Sequence, residues 1–253
     1  MATETRPRLG LKYRDTNGFG AAQGGRGYYL PVDLAVRSDG RIYVLSRGDA
    51  IQGGNGIKIT DIDHNWFEEI SRRGTAPGQF ISATAIAFDA SDRLFMADEV
   101  LHRITIFDAD HNYESHWGTE GSGKGEFDGP SGIAFDRDGN LLVVDDKNQR
   151  IQRYTPDGKY LNSFGSPGDG NGEFSFPWGV TVAPDGVIYV ADWRNDRIQR
   201  FTHEGKFIDA HGTSGDGEGQ FNRPSNTAVD EDGNIFVADW ANQRVQVFDK
   251  DWN

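Results

Sequence analysis

Residues 190–201 read VADWRNDRIQRF and residues 237–248 read VADWANQRVQVF, nearly the same phrase 47 residues apart. A fixed spacing of this size constrains the fold more than composition does, because every copy must build the same supersecondary unit. The phrase belongs to a longer unit. GQF80, GEF127, GEF174 and GQF221 recur at the same 47-residue step, and Pro130, Pro177 and Pro224 follow the last three of these phenylalanines by three residues. Then come an apolar run (SGIAFD, WGVTVA, SNTAVD), a turn (RDG, PDG, EDG), a second run (NLLVVD, VIYVAD, NIFVAD), a third (RIQRY, RIQRF, RVQVF) and a fourth (KYLNSFG, KFIDAHG). A looser copy, TAIAFDASDRLFMAD with HRITIFDAD and YESHWG, precedes them. A first copy, PVDLAVRSDGRIYVLS with IKITDID and WFEEISRRG, carries five extra residues inside Arg47–Gly56. The chain of 253 residues therefore holds five copies of one unit.

Each copy offers four short runs rich in Val, Ile, Phe and Tyr, joined by Asp-Gly hairpin turns and free of any 3.6-residue period. One such four-stranded sheet cannot bury both faces, whereas several can stack face to face around an axis. The fold class expected is all-β: a β-propeller of four-stranded antiparallel blades forming a single domain over 1–253, with repeats at about 31–80, 81–127, 128–174, 175–221 and 222–253. The last copy stops after its third run, at VQVFDKDWN253, and LGLKYRD at 9–15 reads as an orphan fourth strand able to close the ring and leave no free edge.

The pattern GEFxxPxGIAxDxDGNxxVxDxxNxRIQxF resembles the NHL repeat, and the likeness covers nearly the whole chain. NHL propellers usually have six blades, and five repeats are present here. Two arrangements stay open: a closed five-bladed ring, or most of a six-bladed one. The resemblance also brings in propeller lyases. Amidating lyases hold zinc on histidines lining the channel, and streptogramin lyase uses a catalytic histidine. The innermost runs here (VDLAV, TAIAF, SGIAF, WGVTV, SNTAV) contain no histidine, and no counterpart of the streptogramin lyase residue can be placed.

The net charge of −13 repels phosphate backbones and anionic membranes, so neither nucleic acid nor membrane insertion is expected, and cationic or basic partners are favoured. There is no cysteine, no apolar leader in MATETRPRLG and no run of 18 apolar residues, so a cytoplasmic location is expected.

In an antiparallel meander alternate turns share a face. The loop after the second strand (DWRND) then lies beside the long Gly-rich blade-to-blade loop, on the face where binding belongs. Asp98, Asp145, Asp192 and Asp239 recur there with Arg103, Arg150, Arg197 and Arg244. The first copy has Ser46 and Gly56 instead. Joint loss suggests an Asp–Arg bridge across the turn, with Asn148, Asn195 and Asn242 bonding backbone groups. The departures from the repeat are more telling. Trp193 and Trp240 stand where other copies have Glu99 and Asp146, and Trp178 stands where others have Thr84, Ser131 or Ser225.

The candidate ligand- or partner-binding residues are Trp178, Trp193, Arg194, Trp240, Asp145, Asp146, Asp192, Asp239, Asn226 and His102. The function expected is a non-catalytic binding propeller, with a protein or a small cationic or aromatic-stacking ligand at the channel mouth. The alternative is a propeller lyase or hydrolase with a metal or carboxylate site at the same mouth. The scattered histidines His64, His102, His111, His116, His203 and His211 form no zinc pattern, and no cofactor or metal is expected. Calcium on Asp169 or Asp216 in the GDG loops is the one candidate.

Overall fold

The computed structural model describes residues 30–47, 56–63 and 65–253. The strand expected at 9–15, most of the Arg47–Gly56 insertion and His64 lie outside the described residues. Every 47-residue unit forms one antiparallel sheet. Blade 1 contains β1 (Pro31–Val36), β2 (Ile42–Ser46), β3 (Gly56–Thr60) and β4 (Trp66–Ile70). Blade 2 contains β5 (Ala83–Phe88), β6 (Leu94–Asp98), β7 (Arg103–Phe107) and β8 (Tyr113–Trp117). Blade 3 contains β9 (Pro130–Phe135), β10 (Leu141–Asp145), β11 (Arg150–Tyr154) and β12 (Tyr160–Phe164). A short parallel pair, β13 (Ser166–Pro167) and β14 (Glu173–Phe174), braces the next loop. Blade 4 contains β15 (Pro177–Val182), β16 (Ile188–Asp192), β17 (Arg197–Phe201) and β18 (Phe207–His211). Blade 5 shows β19 (Pro224–Val229), β20 (Ile235–Asp239) and β21 (Arg244–Phe248).

The first hairpins are three-residue turns rather than the two-residue kind. In blade 3 the N–H of Gly139 bonds Asp136 O at 3.0 Å with φ +77°, while Asp136 Oδ1 accepts from the N–H groups of Asp138 and Asn140, both at 2.9 Å. The left-handed position needs Gly or a short polar residue. In blade 2 Asp92 fills it at φ 58°, which is why that copy turns without the DG letters.

Packing runs between blades. Buried clusters fill the four interfaces from blade 1 to blade 5. The phenylalanine of each GxF tripeptide (Phe80, Phe127, Phe174, Phe221) is fully buried in one of them, a contribution of roughly 1.5–3 kcal/mol each. Neighbouring inner strands are also clasped by hydroxyls. Thr84 Oγ1 donates to Pro130 O (2.9 Å), Ser131 Oγ to Trp178 O (2.9 Å) and Thr181 Oγ1 to Thr227 O (2.6 Å). The backbones come so close that a Cβ at Gly132 would lie 2.7 Å from Trp178 O.

The two ends of this array differ from its middle. The inner strands pack in the order β1, β5, β9, β15, β19, and among the described residues β19 has no comparable packing against β1. Leu34 is 60% exposed, while its counterparts Ile86, Ile133 and Val180 are 3%, 7% and 4% exposed. On the other end Val245 is 62% exposed. Among the described residues, five blades stand around one axis with an open seam between the fifth and the first.

Candidate binding mouth and channel

The repeated Asp closes a lock between each turn and the loop that enters its blade. In blade 4 the Asp192 carboxylate accepts from Ser175 N (2.7 Å), Asn195 Nδ2 (2.9 Å), Arg197 Nε (2.8 Å) and Gln199 Nε2 (3.0 Å). Arg197 spends its other donors on the carbonyls of Asp169 (2.7 Å), Gly170 (2.8 Å) and Glu173 (2.9 Å). Blades 3 and 5 repeat the arrangement around Asp145 and Asp239, with Arg150 and Arg244 each at 2.8 Å. The glutamine of RIQ and RVQ is a fourth member of the lock, beside the Asp, Asn and Arg. Gln152, Gln199 and Gln246 each reach both the Asp carboxylate and the incoming loop.

Blade 2 departs from the expected pairing. Thr105 replaces that glutamine, Asp98 instead caps the backbone N–H groups of Ile81, Ser82, Val100 and Leu101, and Arg103 donates to Gln79 O.

This geometry corrects part of the expected site. Asp145, Asp192 and Asp239 are all 0% exposed and point into the locks, not toward a ligand. His102 takes the N–H of Gly129 on Nδ1 at 3.4 Å and braces the entry to blade 3 instead of lining the cavity. The GDG carbonyls of Asp169 and Asp216 hold the guanidinium groups of Arg197 and Arg244, at 2.7 Å in both blades.

The residue immediately after the locking Asp follows another rule. Around the five blades this position reads Arg47, Glu99, Asp146, Trp193, Trp240. Arg47 bonds both Glu99 and Ser82. Asp146 is 8% exposed, and its Oδ1 has no hydrogen-bond partner. Burial, then the Glu99 charge, pushes the Asp146 carboxyl up to about 7. Trp193 and Trp240 pair with ring centroids 6.4 Å apart at 43°, and Trp240 is 59% exposed. Arg223 sits 4.8 Å above Trp193, and Arg194 lies 4.0 Å above Phe176. One side of the mouth is acidic and the other aromatic.

Below the mouth runs a cavity of about 660 Å³ along the inner strands. Trp178, Asn226, Trp193, Trp240 and Arg47 line it, so the tryptophans and the asparagine of the expected site come together there, while Arg194 stands outside. Its walls are mixed, nearly as polar as apolar, and among the described residues Asp33 is its one acidic lining residue. Asp33 Oδ2 accepts from Ile86 N at 2.8 Å, and burial pushes the carboxyl up to about 6 against that bond. The signal for Asp33 was present in the register: the corresponding residues are Ala85, Gly132, Gly179 and Asn226. A carboxylate in the run VDLAV is as much a departure as Trp178.

On the opposite face Asp136, Asp138 and His203 gather, a grouping that the sequence did not reveal. Asp136 is already occupied by Arg153 at 3.1 Å and by its own turn, and His203 Nε2 pairs with Asp138 at 2.9 Å.

The chain is a β-propeller that carries NHL repeats. The NHL repeat matches residues 174–201 and 221–248, and a family described as 6-bladed beta-propeller matches residues 79–163. No curated protein matches. Similar solved structures include virginiamycin B lyase from Staphylococcus aureus, at 15% identity and TM-score 0.62, covering 88% of this chain and 68% of that one. A gluconolactonase from Xanthomonas campestris is similar at 18% identity and TM-score 0.66, covering 89% and 74%. A nidogen–laminin complex is similar at 19% identity and TM-score 0.64, covering 88% and 77%. At these identities the likeness shows the fold, and the fold alone selects neither an enzyme nor a binding protein. Among the described residues, no helix is long and apolar enough to cross a membrane.

Proposed function

We propose that this chain is a non-catalytic binding propeller that receives a cationic group of a protein or small ligand at its loop-rich mouth. The observation that carries this reading is the Asp146 carboxylate, buried with one oxygen unpartnered in the same ring of positions as the Trp193–Trp240 pair. A buried acceptor without a donor is costly, and a ligand ammonium or guanidinium relieves that cost. The tryptophans add a face for the same charge or for an apolar body beside it. The net charge of −13 supports a basic partner and disfavours nucleic acid. The absence of cysteine supports a cytoplasmic setting. Lyase or hydrolase chemistry has one support, a channel carboxyl near neutrality suited to proton transfer, and among the described lining residues there is no histidine beside it.

The test is calorimetric titration with a short peptide containing lysine and arginine. Trp193→Ala with Trp240→Ala should weaken capture at least about tenfold, equal to roughly 1.4 kcal/mol. Asp138→Asn with Asp185→Asn on the hairpin face should leave it unchanged. The reverse pattern would move the site to the other face.

A further inference from the structure

The arginines of the locks spend their donors inside the fold, and Arg47 bonds Glu99 and Ser82. Two arginines at the rim of the mouth do not. Arg194 and Arg223 are exposed, and among the described residues neither guanidinium has a hydrogen-bond or ion-pair partner. Aromatic faces hold them instead. Arg194 lies 4.0 Å above Phe176 and 5.8 Å from the Trp193 ring, and Arg223 lies 4.8 Å from that same ring. Trp193 therefore joins both charges, and it also lines the cavity below.

The backbone carries a second sign. The residue directly before the inner strand is Gly129 in blade 3, at φ +73°, where glycine costs least. Blades 4 and 5 place Phe176 at φ 50° and Arg223 at φ 57° in that position. A bulky side chain in the left-handed region is strained. Asp196 helps to hold it there in blade 5, its Oδ1 accepting from Arg223 N at 2.8 Å. Glycine would relieve the strain in both blades. The side chains present instead are the platform for one free guanidinium and the stem of the other.

We propose that Arg194 and Arg223, held by Phe176 and Trp193, form a rim subsite for a carboxylate group. A guanidinium offers a planar fork of donors that matches the two oxygens of a carboxylate. Stacking orients each plane before the ligand arrives, so less freedom is lost on binding. The surrounding charge selects among anions. With a net charge of −13, a singly charged group is favoured over a phosphate dianion. The subsite deepens the binding reading above and rests on it for the cation. The ligand then carries both signs, a cationic group for Asp146 and a carboxylate for the arginines. Such a carboxylate is found in an acidic peptide side chain and in a small organic acid.

The experiment is calorimetric titration of the full chain with two capped peptides that differ only in glutamate or glutamine beside a lysine. A third probe, 3-phenylpropionate, has no cation. The glutamate peptide should bind at least about tenfold more tightly than the glutamine peptide. Arg194→Gln and Arg223→Gln should each shrink that difference, and together they should erase it. Phe176→Gly should shrink it without changing any charge. Arg194→Lys should not preserve it, because a point charge lacks the fork. Equal binding of the two peptides, or a difference that survives the double variant, would overturn the subsite. A lysine variant that keeps the whole difference would reduce it to general charge and overturn it too. Arginine-dependent binding of 3-phenylpropionate identifies a small acid as the source, and a preference confined to the peptides identifies a side chain. Peptide capture that needs the tryptophans but ignores glutamate would leave the mouth standing and remove the carboxylate subsite alone. Arginine-dependent binding of 3-phenylpropionate with no capture of either peptide would do the reverse.

Discussion

Asp145 and Asp146 are neighbours in one turn of blade 3, and their circumstances are opposite. Asp145 is enclosed by the N–H of Asp128, the amides of Asn148 and Gln152 and the guanidinium of Arg150. Asp146 is buried beside Glu99 with an oxygen that nothing satisfies. Move around the axis and the first residue keeps its identity in four of the five copies, while the second becomes arginine, glutamate or tryptophan. A side chain that bonds only its own blade and the loop entering it must be supplied again by each blade. A side chain that faces the shared opening is free to differ in every blade. In this fold sameness marks construction and difference marks the site.

That contrast breaks most visibly at the lock. Asp192→Ala removes the common acceptor of four donors and leaves the Arg197 charge held only by carbonyls. It should cost about 3–5 kcal/mol, the scale for removing one partner of a buried ion pair. The check is a chemical denaturation midpoint. Arg197→Ala should cost less, about 1–3 kcal/mol, because Asp192 retains Ser175 N–H, Asn195 and Gln199. Equal losses in the two variants would mean that the guanidinium, not the carboxylate, is the centre of the lock.

The five-blade array was legible because a 47-residue period with alternating apolar runs admits few other sheets. The Asp–Arg pairing was legible for blades 3 to 5 because both residues vanish together from the first copy. Its orientation was not. Whether Asp145 faces solvent depends on Gly121–Glu126, whose carbonyls arrive from the preceding loop to complete the lock through Asn148 and Arg150. The sequence does not mark that approach. Asp33 is hard to see for a related reason: the first copy departs from the others at many positions, Ser46 and Gly56 among them, so one carboxylate in its inner strand does not stand out as Trp178 does. The open seam depends on which end faces meet, and Leu34 and Val245 read as ordinary core residues although no neighbour covers them among the described residues.

The second half of the comparison responds to pH. The folded Asp146 carboxyl, pushed up to about 7, holds its proton more tightly than an unfolded one near 3.8. Its ionisation therefore costs stability above that value. The cost shrinks as the pH falls through 7 and is gone below the unfolded value. Asp146→Asn should raise the denaturation midpoint at about pH 8, by on the order of 1 kcal/mol. The gain should fade as the medium is acidified toward about pH 4. A gain that stays constant across this range would show that the substitution acts through packing and not through the buried charge.

The smallest effect on stability belongs to the residues with the largest effect on binding. Trp240 is 59% exposed, and Trp193 packs against it and beneath Arg223 without entering any of the four buried clusters. Removing both rings leaves no interior cavity and no unsatisfied polar group. Trp193→Ala with Trp240→Ala should therefore shift the folding free energy by no more than about 0.5 kcal/mol, the range of surface substitutions. The same variant should lose most of its capture of a basic peptide. The two measurements must be made together, since only their divergence separates an aromatic wall built for a ligand from one built for the fold. A loss of stability comparable to that of Arg197→Ala would assign the tryptophans to the masonry of blades 4 and 5. The mouth would then be left with Asp146 and Glu99 as its recognition groups.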